Sequence, residues 1–218
     1  MCRELASQAR LAGVIWQPGR HMDAGWWAAL DMACWQDVYR RVPAARARID
    51  AQLIARRGWP VADEARESRA RSPVSTDASR TLLRLAPNLR RVALAYGLRA
   101  LGCPDYLLLG AFRQALSPWL DTHHCDRLLL SRRDWAAPAR CAPHEIVHAA
   151  LCETAAALDG QPAPIADDVD TVKRALRSLL PPPVRDARAV CGIDGAAGDV
   201  WARLVALEAT LCMSSNSL

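Results

Sequence analysis

The sequence has one lysine, Lys173, and one phenylalanine, Phe112. Its net charge of +5 over 218 residues therefore rests on 27 arginines, scattered from Arg3 to Arg203. With abundant alanine, this reads as the codon bias of a GC-rich genome. No basic stripe interleaved with aromatics tracks phosphates and stacks bases, so nucleic acid is not an expected partner. No stretch approaches the ~20 uninterrupted apolar residues of a helical span, which excludes direct membrane insertion. The eight cysteines form no CxxC and no other short pair, whereas secreted disulfide frameworks usually belong to much shorter chains. The opening run MCRELASQARLAGVIW is charged through its first ten residues and lacks a continuous apolar core, so no secretory signal is read there. The expectation is a reduced, cytoplasmic protein whose thiols are mostly core residues and whose aromatic packing comes from eight tryptophans.

Alternating β-branched runs are missing as well, and the apolar pattern is helical nearly throughout. Hydrophobic residues make up 51% of the chain and charged residues 23%, the range of a globular domain. The fold class expected is all-α, an irregular multi-helix bundle. Trp26, Trp27, Leu30, Cys34 and Val38 predict a helix between Met22 and Arg41. Pro43 opens the next, with Ile49, Leu53 and Ile54 inward and Gly58 beyond its end. Further helices are predicted over Arg80–Ala86, Asn88–Leu101, Asp105–Leu116, Pro143–Leu158, Val169–Leu180 and Asp199–Leu211. Residues 1–58 form an N-terminal helical region, 59–79 a linker or exposed loop, and 80–218 the main helical region, within one compact domain overall.

Residues 144–148 read His-Glu-Ile-Val-His. On a helix, this spacing sets two imidazoles one turn apart for zinc, with the glutamate as general base. Pro143 puts His144 in the opening turn, and Leu151 and Thr154 stand where the extended pattern requires Gly and His. A third ligand would have to come from Glu153, Asp159, Asp167, Asp168 or Glu208. The histidines also fit the packed face of a helix with Val147, Leu151, Ala155 and Leu158. Cys141, His144, His148 and Cys152 make a stripe ~16 Å long, too long for one ion. His123, His124 and Cys125 belong to what reads as an exposed polar turn over Asp121–Asp126. Asp167 and Asp168 read as caps of the helix beginning at Val169. No metal, cofactor or catalytic residue is assigned, and a zinc metallopeptidase is the alternative reading.

Two stretches resemble the cytoplasmic adaptors of bacterial type III secretion systems, the SctK (YscK/OrgA) family. In Ile15–Trp27, IWQPGRHMDAGWW, Trp16 and Pro18 match the family's N-terminal pattern. His21 stands where that family tends to have tyrosine, and Asp23 where it tends to have histidine. The run LRLAPNLRRVALAYGLRALGCPDYL, ending at Leu107, is similar to its central helix pair. The resemblance implies a non-enzymatic scaffold, cytoplasmic and peripheral at the inner membrane. It would link the cytoplasmic domain of an inner-membrane ring protein to the sorting-platform (C-ring) protein. Trp16, Pro18, His21 and Trp59 are the candidate partner-binding residues, because tryptophan supplies large contact area at little entropy cost.

Overall fold

A computed structural model describes residues 2–60, 76–131, 134–160, 168–183 and 199–212. The described residues are all-α, without a strand. In chain order the helices are α1 (Cys2–Trp16), α2 (Pro18–His21), α3 (Gly25–Ala29), α4 (Gln36–Arg41), α5 (Arg46–Arg57), α6 (Asp77–Leu85), α7 (Leu89–Leu101), α8 (Asp105–Leu108), α9 (Gly110–Leu116), α10 (Thr122–Leu130), α11 (Ile146–Asp159), α12 (Asp168–Arg177) and α13 (Val200–Cys212), with 3-10 turns at Ala33–Trp35 and Pro43–Ala45. None of these helices is long and apolar enough to cross a membrane. Contacts group the chain into two compact units: Met1–Ala86 with Ala163–Pro182, and Pro87–Pro162 with Pro183–Leu218. Of the expected linker, residues 61–75 lie outside the described residues.

The first unit is built on Met22, Trp27, Met32, Tyr39, Ile49 and Leu53. Trp27 meets Tyr39 edge to face, with ring centres 5.5 Å apart. The single helix expected between Met22 and Arg41 is broken instead. Asp31 takes a left-handed backbone with φ of 54°, and its amide bonds to the Ala28 carbonyl while that of Met32 returns to Trp27 at 2.7 Å. These bonds are a Schellman stop with aspartate in the usual glycine place. Arg56 fastens the turn, its Nη1 donating to the carbonyls of Leu30 and Asp31 at 2.7 and 2.8 Å. The helix after Pro43 forms as expected, Gly58 ending α5 at φ of 70°.

A carboxylate and two carbonyls bring residues 168–182 into this unit. Asp168, read in the sequence as a cap for its own helix, accepts from the Thr76 amide at 2.8 Å and the Ser79 hydroxyl at 2.9 Å. It thereby joins the Thr76–Ser79 capping box at the start of α6. Beyond α12, the Ser178 carbonyl accepts from the Asp23 amide at 3.0 Å, and that of Leu180 from the Trp26 indole at 2.9 Å. Arg177 lies over the same indole, 5.7 Å from its ring centre.

The second unit centres on α7 against α11. Gly97 permits the approach, since a Cβ there would stand 1.8 Å from the Ala150 carbonyl oxygen. Beside it, the buried Thr154 hydroxyl donates to the Ala93 carbonyl at 2.6 Å. From α13, Leu204, Leu207 and Leu211 are buried, and Glu208 accepts from Asn88 at 3.0 Å. The helix expected over Asp105–Leu116 is divided at Leu109, which is extended at ψ of 135° and exposed together with Leu108. The polar turn expected over Asp121–Asp126 is helical: Asp121 caps α10 by accepting the His124 amide at 2.8 Å, and Cys125 is buried.

Candidate functional site

The Ile15–Trp27 stretch, where the sequence placed most of its partner-binding residues, wraps one side of an open groove in the first unit. About 1360 Å³ in volume, the groove runs between this stretch, α4 and α5. Pro18 is buried and opens α2 as a helix-starting proline should. One residue on, the Gly19 amide donates to Asp50 Oδ1 at 2.9 Å. The approach needs glycine, because a Cβ would come within 2.7 Å of the Tyr39 ring. From the other side, the Tyr39 hydroxyl donates to Asp50 Oδ2 at 3.1 Å. Asp50 is thus a buried carboxylate at the groove floor with a partner on each oxygen.

Burial sets the titration of this cluster. It pushes the Asp50 carboxyl above its ordinary value, against the hydrogen bonds from Gly19 and Tyr39. It also pushes the Tyr39 phenol up to about 12, helped by the neighbouring Asp50 charge. His21 closes α2 against α1, where a Cβ on Gly13 would lie 2.8 Å from its Nε2. Burial, then the charges of Arg20 and Arg10, hold its imidazole below the ordinary value, with Asp50 pulling the other way.

Trp16, half-buried, lines the groove, whereas Pro18 and His21 do not. Trp59 is 7% exposed. Its ring stacks under the Arg57 guanidinium at 4.8 Å, and burial takes that guanidinium down to about 10. The exposed tryptophans among the described residues are Trp35 and Trp119. Sequence reading missed Tyr39, Arg46 and Asp50. The available signal was Asp50 itself, a carboxylate on the inner face of α5 beside Ile49 and Leu53.

The His-Glu-Ile-Val-His motif is not arranged for zinc. α11 starts at Ile146, so His144 and Glu145 lie in the preceding turn. The His144 side chain is 81% exposed, and Glu145 accepts the Ala142 amide at 3.0 Å. His148 instead faces Cys152, with Nε2 3.5 Å from Sγ. Among the described residues no three His, Cys, Asp or Glu side chains gather to hold a metal.

The profile of a family described as type III secretion system subunit matches residues 9–182. The chain belongs to that family. No curated protein and no solved structure matches it.

Proposed function

We propose that the protein is a non-enzymatic adaptor of a type III secretion system, linking the cytoplasmic domain of an inner-membrane ring protein to the sorting-platform protein beneath the export gate. Membership of the secretion-subunit family over residues 9–182 carries this reading. The SctK-like stretch Ile15–Trp27 supports it, because that stretch supplies Trp16, Gln17, Gly19 and Met22 to the groove. A docking component needs a held surface, and Asp50 holds this one by tying α2 to α4 and α5. The adaptor works in the cytoplasm and reaches the inner membrane through its partners. No observation favours the metallopeptidase.

The test is co-purification of the tagged protein from secreting cells, together with secretion in a deletion strain. Recovery of both ring and sorting-platform components, with secretion lost on deletion, is the expected result. Normal secretion without the protein, and neither partner recovered, would overturn the reading.

A further inference from the structure

We propose that the groove of the first unit takes an acidic amphipathic helix from a partner protein. This inference names the partner chemistry of the docking surface and so rests on the adaptor reading above. Arg20, Arg40 and Arg46 line the groove, and among the described residues the one carboxylate lining it is Asp50. Asp50, buried and engaged by Gly19 and Tyr39 and acted on by Arg46, sets one negative charge against three positive ones. Arg46 donates to the carbonyls of Tyr39 and Arg40 at 3.0 and 3.1 Å, neutral acceptors that form no ion pair with it. Arg40 is 3.9 Å from Asp37, which Arg41 shares at 3.7 Å, and all three side chains are well exposed. The Arg20 guanidinium has no hydrogen-bond or ion-pair partner among the described residues. The rim is therefore positive and open to carboxylates.

The α5 wall explains the helical shape. Ala47, Ala51 and Ala55 recur every four residues along α5, are exposed, and line the groove. Such a row is low and straight for ~12 Å, the length of two helical turns, and admits another helix at close range. Apolar side chains of that helix would rest on Trp16 and Ile54, with its acidic flank toward the arginines.

The test uses the full chain and two dye-labelled helical peptides with one shared leucine face. One carries glutamates along its polar face, the other lysines, and binding is read by fluorescence anisotropy. The glutamate peptide is expected to bind at least about tenfold more tightly, and more weakly as salt rises. Arg20→Glu with Arg40→Glu should reverse the preference. Ala51→Trp should abolish binding, while Arg48→Glu, on α5 but outside the groove lining, should leave it intact.

No binding of the glutamate peptide, equal binding of both peptides, or binding that survives Ala51→Trp would overturn the proposal. So would self-association of the chain that Ala51→Trp abolishes, since the occupant would then be a second copy. The adaptor reading fails separately. A chain that binds the glutamate peptide but recovers no secretion component from cells keeps the groove and loses the adaptor role. Retention of both partners by Ala51→Trp in cells, with the peptide unbound in vitro, keeps the adaptor role and removes the groove from it.

Discussion

The Tyr39 hydroxyl stands 3.1 Å from Asp50 Oδ2, a contact that ties α4 to α5 at the floor of the groove. Tyr39→Phe keeps the ring against Trp27 and removes only the donor, leaving a buried carboxylate with the Gly19 amide alone. The expected loss is about 1–3 kcal/mol at neutral pH, measured by urea denaturation. Because burial raises the folded pKa of Asp50 above its ordinary 3.8, the stability linked to its protonation is full below that value and lost as pH rises through the folded one. The Tyr39→Phe deficit should accordingly shrink on acidification. A deficit unchanged by acid would show that the hydroxyl does not serve the charge.

His21 gives a pH dependence of opposite sense. Its folded pKa lies below the ordinary 6.5, so its contribution is present above 6.5 and lost as pH falls through the folded value. Thermal midpoints taken downward from pH 6.5 should fall for the native chain, and His21→Gln should flatten that fall. Equal slopes in the two proteins would assign it to other groups.

At the crossing of α7 and α11 there is no room for one methyl. Gly97→Ala directs a Cβ at the Ala150 carbonyl, where backbone must yield, and should cost about 1–3 kcal/mol or more despite alanine's better helix propensity. A Cβ on Gly110 would meet nothing within 4 Å, and Gly110→Ala should be neutral or stabilising by up to about 1 kcal/mol. Chemical denaturation of the pair separates crowding from glycine's entropy, and a tolerant Gly97→Ala would mean that the helices part readily.

Glu145→Gln is expected to leave secretion unchanged, since Glu145 lies in the turn before α11 and its oxygen accepts the Ala142 amide, a role glutamine also fills. A secretion defect in a variant of unchanged stability would reopen the search for chemistry at the motif.

The helical periodicity identified the all-α class and most of the helices, and proline and glycine marked where α5 starts and where α5 and α7 end. It failed where a bond from outside the local sequence decided the outcome. Asp31 stops α3 with Arg56 holding its carbonyl, and nothing in the repeat of Trp26, Trp27 and Leu30 announces a stop. Leu109 likewise interrupts an apolar run by turning outward. At the site, the Ile15–Trp27 stretch was legible through its resemblance, whereas Asp50 was hidden: its importance comes from partners 31 and 11 residues away. Trp59 shows the opposite limit, because neighbouring polar sequence says little about whether one large ring finds a buried place.

The first unit draws on residues far apart in the chain, and the carbonyls of Ser178 and Leu180 are what Asp23 and Trp26 bond to. A ribosome delivers those carbonyls late. At roughly 5–20 residues per second, Asp23 and Trp26 wait on the order of ten seconds after Ala86 is made before their acceptors exist. During that interval the nascent chain exposes the Trp26 indole and the surface beside it, so the protein's need for a chaperone should be greatest midway through translation. A chain released at residue 162 would carry that unfinished surface permanently.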